Sequence, residues 1–558
     1  MRFPTRVLDV GNAISDKVRL VHGDGRQGHF AALSYCWGGD GVLTLTQRIP
    51  DMLRAGVDLE RFPATLRDAI IITRKLEIRF LWVDALCIMQ DSAEDWAAEA
   101  GRMRTVYRGA IVTIAAASAT STGEGIFRER SPRAPYCKLE WRSTEGQPTS
   151  VSLRPGSELS DSTLRNAKIS TRGWTLQESL LAPRTLWFGM QQIAFECAEN
   201  LVDEGGRTTK ATEDYRNKAA MAEMISDTRH MLLTKAFRAT GIPPIVSIPW
   251  LSYRSRGEWK EERNPGVYSF LKSRIRKTDF AFQGLLTTPG GKPYTYYDQW
   301  REIVQRYTSR HLTHQSDVLP ALSGLADNFQ QVTGDQYLAG LWKGDLLRGL
   351  GWQRSPERKW LEDGTVAEVV PLQEYLAPSW SWASVYGKSA TFPSSLPHQS
   401  DNEVFQMAKI VDVSVEPATS DPYGRLKHGH LTLRAPYLTI DDPIVPSTSK
   451  HWMSTLHRVI HTVLHSKMTA QCHEFVQQHA PHESQQFALL HLFTWKQAGR
   501  VNPHGELCLL LLESTKDGNY KRLANFGERH LGALDPQDKQ IRDELKAAPF
   551  VKKVVTIV

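Results

Sequence analysis

Three apolar runs between residues 30 and 116, separated by stretches with helical periodicity, constrain the fold of this chain more than any other feature. Phe30 to Trp37 stays apolar until Gly38-Gly39-Asp40-Gly41, as a strand does when it leaves into a glycine turn. Pro63 then precedes a segment in which Leu66, Ala69, Ile70, Thr73 and Leu76 follow the 3.6-residue period of a helix. Phe80 to Ile88 reads as a second buried strand, interrupted only by Asp84. Asp91 or Ser92 can cap a following helix that puts Trp96, Ala100, Met103, Tyr107 and Ala110 on one face. Ile111 to Ala116 is a third, β-branched strand. Strands covered on both faces read as continuous apolar runs, because no position faces water. The expectation for residues 30–200 is therefore α/β: a mostly parallel sheet flanked by helices.

At 558 residues the chain is long enough for two to four units. Residues 1–29 read as a lead-in. Residues 201–295 are polar, irregular and rich in Arg, Pro and Gly, with a weak helical pattern at Tyr215 to Leu232, and read as a variable connector. Residues 296–400 read as a mostly helical middle region, with Trp300, Ile303, Val304 and Tyr307 on one helix and Leu319, Leu322, Leu325 and Phe329 on another. The region after the N-terminal unit thus reads as α+β, and its C-terminal part, residues 401–558, is β-rich: Ile410 to Val415, Leu431 to Ile440, Leu507 to Leu512 and Val551 to Val558 are strand-like. A helical segment with Leu456, Val459, Ile460, Val463 and Leu464 is set among them.

Composition narrows the function classes. The net charge of +7 arises from 68 basic and 61 acidic residues spread along the whole chain, too diffuse to point to nucleic acid. Six cysteines are scattered without a CxxC pair, so neither a zinc site nor a redox motif is signalled. Cys36, Cys87 and Cys197 lie in apolar runs, where a reduced thiol acts as a small hydrophobe. His457, His461 and His465 recur every four residues near Cys472 and His473, but without an HExxH pattern they read as a solvated edge, and no metal is expected. The N-terminus has no signal-peptide core and no run has the roughly 18 apolar residues of a membrane span. The expectation is a cytoplasmic protein with no membrane span.

Chemistry concentrates in Gly173-Trp174-Thr175-Leu176-Gln177-Glu178, followed at once by the apolar segment Leu180 to Phe188. Glu178 at the edge of a buried sheet is either a catalytic carboxylate or a structural anchor paired with Arg172 or Arg184. Asp84, inside an apolar run, either lines a cleft or binds backbone amides of the loop that follows it. Ser34, Tyr35 and Trp37 end the first strand beside the glycine turn. They could stack on a base while the turn meets phosphate, or Trp37 could pack in the core. Ser179 lacks the glycine elbow of a serine hydrolase.

Four segments together resemble the fungal heterokaryon-incompatibility (HET) domain. They are Ala32 to Gly38, Leu81 to Asp91, Arg102-Met103 with Val106 to Ala110, and Arg172 to Glu178. Tyr307 to Thr313, Tyr337 to Trp342 and Ser379 to Trp382 resemble the usual downstream portion of large HET proteins. The resemblance implies a filamentous fungus and a role in non-self recognition and programmed cell death. HET domains are in turn similar to Toll/interleukin-1 receptor-type (TIR) domains, which share a doubly wound, flavodoxin-like sheet. Some of those hydrolyse NAD with a glutamate on a Trp-Cys-x-x-Glu-like helix, where this chain has Thr175 in place of the Cys. The resemblance thus implies Glu178 as the catalytic residue and NAD as substrate rather than cofactor. Ser34, Trp37, Asp84 and Trp174 would line the nucleotide pocket. The alternative is a non-enzymatic signalling module that acts through protein partners or self-association.

Overall fold

The computed structural model describes residues 2–11, 17–127, 137–153, 167–203, 208–209, 286–287, 293–354, 375–385, 390–392, 402–440, 487–497, 506–527 and 551–558, with a few short gaps inside these ranges. The helical segments expected near Tyr215 and near Leu456, and the His457–His465 stripe, lie outside them.

Among the described residues, twelve strands precede residue 210: β1 (Arg6–Asp9), β2 (Lys17–His22), β3 (Phe30–Ser34), β4 (Val57–Asp58), β5 (Phe80–Trp82), β6 (Val112–Ala115), β7 (Cys137–Arg142), β8 (Pro148–Leu153), β9 (Arg184–Phe188), β10 (Ile193–Cys197), β11 (Leu201–Asp203) and β12 (Thr208–Thr209). β7 and β8 form a separate hairpin. The other ten make one sheet in the order β12-β11-β10-β9-β6-β3-β5-β1-β2-β4. Only the central β9, β6, β3 and β5 run parallel to their neighbours. These four are the parallel centre expected for residues 30–200, and antiparallel flanks on both sides make the whole sheet mixed. The residues before Phe30, expected as a lead-in, supply two of its strands.

The helices follow from local chemistry. They are α1 (Pro50–Ala55), α2 (Ala64–Lys75), α3 (Asp84–Cys87), α4 (Ala93–Gly109) and α5 (Trp174–Leu181). Ser92 caps α4 by accepting from the Asp95 amide at 3.2 Å, and Glu94 and Asp95 sit in its first turn, where the helix dipole favours negative charge. One expectation is corrected here. The Phe80 to Ile88 run is not a single strand: it turns at Val83 into α3, and Asp84 is the first residue of that helix.

The β3-α2-β5 and β5-α4-β6 crossovers leave β5 and β6 on opposite sides of β3. Connections then depart in opposite directions from β3 and β6, which makes the gap between their carboxyl ends a topological switch point. Right-handed crossovers place α2 and α4 on opposite faces. α5, which leads into β9, packs on α4.

The middle region continues that face. α6 (Tyr296–Thr308) and α7 (Ser323–Thr333) bury an aromatic cluster in which Phe329 stacks on Trp342 at 4.4 Å and Trp300 meets both. Trp380 and Trp382 are fully buried beside it. The carbonyl of Gly340 accepts from the indole nitrogens of both Trp300 and Trp382. Gly340 has φ +90°, and a methyl group there would stand 2.5 Å from the Trp382 Nε1. Gly340→Ala is expected to cost about 3 kcal/mol, combining left-handed strain with overpacking, read as a lower urea midpoint at unchanged slope.

The region after residue 401 is β-rich, as its sequence suggests. A seven-stranded sheet includes Leu426–Ile440, Phe487–Gln497, Glu506–Ser514, Tyr520–Gly527 and Val551–Ile557, and these five close into a barrel because the first pairs with both the second and the last. No helix among the described residues is long and apolar enough to cross a membrane.

Candidate functional site

The carboxyl ends of β3 and β5 bring together side chains far apart in sequence. Ser34, the last residue of β3, donates from Oγ to Glu178 Oε2 at 2.5 Å. Both are about 5% exposed. The Tyr107 hydroxyl on α4 donates to the Leu33 carbonyl and lies close enough to Glu178 to interact with its charge. Next to this pair, Asp84 accepts from the Trp37 indole nitrogen at 2.9 Å and from the Ala85 amide at 2.7 Å. Tyr35 is buried beside the two carboxylates, its hydroxyl close to Asp84.

Two guanidinium groups offset this negative charge without gripping it. Arg172 donates to the Tyr35 carbonyl, and Arg310 donates to the Arg172 carbonyl at 3.3 Å and to Thr175 Oγ1 at 3.1 Å. Among the described residues neither is within ion-pair distance of Glu178, and Arg184 donates to the Ile111 carbonyl. Arg172 meets Glu178 through its charge, while Ser34 donates a hydrogen bond to the carboxylate.

Burial dominates the electrostatics. It raises the Glu178 carboxyl to about 7, helped by the charge of Asp84 and opposed by the Ser34 hydrogen bond and by Arg172. Burial also pushes Asp84 above its ordinary value, against Arg172 and the bonds from Trp37 and Ala85. Arg310 is lowered to about 10 by burial, with Glu178 pulling the other way. The result is a carboxyl poised near neutrality at the switch point of an α/β sheet, a combination typical of functional sites.

Removing the Ser34 hydroxyl takes away a hydrogen bond that favours ionised Glu178. Ser34→Ala is expected to raise the Glu178 pKa by about one unit or more, because a hydrogen bond to a charged group contributes roughly 1.5–3 kcal/mol. The shift is read from the protonated-carboxyl infrared band followed against pH in wild type, Ser34→Ala and Glu178→Gln.

The space beside this cluster is small. A cavity of about 40 Å³ is bordered by Ser34, Thr113, Thr175, Ser179, Thr185 and Arg310. That admits roughly two or three waters.

Of the residues expected at the site, Ser34 and Glu178 meet directly, and Trp37 and Asp84 meet directly beside them. Trp174 does not join them. Its Nε1 donates to Asp317 Oδ2 at 3.2 Å and its ring meets Trp96 edge-on. Asp317 also accepts from Arg425 of the β-rich region, whose guanidinium covers Trp96. Trp174 therefore ties α5 to the rest of the chain.

Arg310 went unrecognised at the sequence level as a site residue. Its segment carries a backbone bridge: the Gly173 amide donates to the His311 carbonyl at 2.7 Å, and the His311 amide to the Thr171 carbonyl at 2.6 Å. Leu312 presses so close to Gly173 that a Cβ there would stand 2.4 Å from its methyl, which explains the glycine before Trp174. The available signal was the Tyr307 to Thr313 segment, visible only as a family pattern.

Among the described residues no cluster of His, Cys, Asp or Glu could hold a metal ion. Cys36, Cys87 and Cys508 are buried. Residues 30–178 match the family model described as heterokaryon incompatibility protein (HET). The chain matches no curated protein and no solved structure. The matched segment ends on Glu178, so Arg310 reaches the site from outside it.

Proposed function

We propose that this is a heterokaryon-incompatibility-type protein of a filamentous fungus, acting in the cytoplasm in non-self recognition and programmed cell death by cleaving NAD at Glu178. One observation carries the reading: a buried carboxyl raised to about 7, held by a serine rather than by an ion pair, at the β3/β6 switch point. A carboxylate kept without a salt-bridge partner in a dry interior costs stability, and functional sites are where such costs are retained.

In the proposed reaction the bond between ribose C1′ and the nicotinamide nitrogen breaks, and nicotinamide leaves with the electron pair. Ionised Glu178 stabilises the oxocarbenium-like charge at C1′, as carboxylates do in glycoside hydrolysis. Water then adds at C1′ and its proton passes to Glu178. Ser34 keeps the carboxylate oriented, and Arg172 and Arg310 limit the cost of its charge. Ribose and phosphates would meet Asp84, Trp37 and the turn after it. Glu178 is enclosed as described, so substrate entry requires the edge between α5 and β3 to open.

A second reading is favoured by the small size of the adjacent cavity: the HET domain signals by assembly with itself or a protein partner, without chemistry. Expression of the full chain in a fungal host separates the two. Wild type is expected to deplete NAD and kill, and Glu178→Gln to do neither. Killing with an intact NAD pool would support assembly and remove the enzymatic reading.

A further inference from the structure

A second cavity lies far from these residues in the chain, between the turn and short helix at 343–348 and the segment 406–410 that opens a strand of the C-terminal sheet. Its volume of about 540 Å³ falls in the range of small-molecule sites. Three cationic side chains line it: Lys343, Arg348 and Lys409. Arg348 is half-buried, and no hydrogen bond engages its guanidinium among the described residues. Burial holds its pKa below the ordinary value, with the charges of Asp345 and Asp298 pulling the other way. A guanidinium withdrawn from water without a hydrogen-bond acceptor is costly, and an anion placed in the cavity would relieve that cost.

The carboxylates nearby are already engaged. Asp345 faces the cavity but is held by Arg301, which also holds Asp298. Asp412, which feels the charge of Lys343, is bonded to His430 at 2.6 Å. The Met407 and Ala408 amides both donate to the Leu492 carbonyl, so the anion would be read by side chains rather than by backbone. Met407 is 42% exposed and Leu347 and Ile410 lie beside it, giving the cavity an apolar flank.

We propose that this cavity binds a phosphate-bearing small molecule of nucleotide size. Arg348 takes the phosphate as a fork, Lys343 and Lys409 close on it from the rim, and the Met407 flank covers the rest of the ligand. None of these residues borders Glu178, and the inference does not depend on NAD cleavage.

The test is calorimetric titration of the full chain at low salt with ADP and, separately, with inorganic pyrophosphate. Wild type is expected to bind ADP, more weakly as salt rises. Arg348→Met should weaken binding at least tenfold and Lys409→Gln severalfold, while Glu178→Gln binds as wild type does. Equal affinity for pyrophosphate would assign recognition to the phosphates alone, and a tenfold preference for ADP would add the apolar flank; either supports the site. Should Arg348→Met fail to fold, the exposed Lys343→Gln and Lys409→Gln together carry the test. Failure of both probes to bind, or binding unchanged in the cavity variants, overturns the proposal. So does binding lost in Glu178→Gln, which would locate the ligand at the other site and leave the reading of Glu178 standing.

Discussion

Above pH 7, Glu178→Gln is expected to resist unfolding better than wild type and yet to cleave no NAD. The sign follows from the raised carboxyl. Folded Glu178 titrates near 7 and the unfolded side chain near 4.5, so between those values the folded state holds a proton that the unfolded state has released. Wild-type stability therefore falls as pH rises through that window, by about 3 kcal/mol in total, because a one-unit shift corresponds to about 1.4 kcal/mol. The glutamine has no such titration. Its advantage should be absent below pH 4.5, grow through the window and level off above pH 7. Any loss from the fit of the amide against Ser34 lowers the curve uniformly without moving the window. Chemical denaturation of both proteins from pH 4 to 8 measures it. A stability difference that stays flat with pH would mean that the carboxyl is not held protonated in the fold.

The second large effect lies outside the carboxylate cluster. Asp317 is 4% exposed and accepts from the Trp174 indole on one oxygen and from Arg425 on the other. Asp317→Ala leaves the indole nitrogen without its acceptor and releases a guanidinium that also covers Trp96. Arg425 is 42% exposed and can turn to solvent, so the ion pair contributes less than a fully buried one would. The combined cost is about 3 kcal/mol, concentrated at the attachment of α5. Native-state hydrogen exchange of the α5 amides should then quicken roughly 100-fold. Asp317→Asn keeps an acceptor for Trp174 and should change exchange by less than tenfold. If both variants exchange like wild type, α5 is held by the Gly173–His311 bridge alone.

The legible parts of the fold were those written in local chemistry. Ser92 and the acidic turn after it mark the start of α4, and the buried run Phe30 to Ser34 marks a strand covered on both faces. The Phe80 to Ile88 run misled because a short apolar stretch has the same composition in a buried strand and in a buried helical turn. The polar residue inside it held the clue: Asp84 takes the Ala85 amide, as acidic residues at helix starts do. The antiparallel flanks were invisible because β1 pairs with β5 across some seventy residues, and nothing local in Arg6 to Asp9 announces that partner.

At the site, residue type and position single out Ser34, Trp37, Asp84, Trp174 and Glu178, but not which of them share a neighbour in the fold. On α5, Trp174 and Glu178 point to different neighbours, one to Asp317 and one to Ser34. Arg310 could not be reached by pattern, since its contact with Arg172 spans 138 positions. What decides its importance is the low dielectric around Glu178, a property of the assembled interior.

The most direct measurement is nicotinamide release from NAD by the purified full chain as a function of pH. The account predicts a rate that rises with ionisation of Glu178, half-maximal near pH 7, and that vanishes in Glu178→Gln. A wild-type rate no higher than that of buffer alone, or one that Glu178→Gln retains, would contradict it.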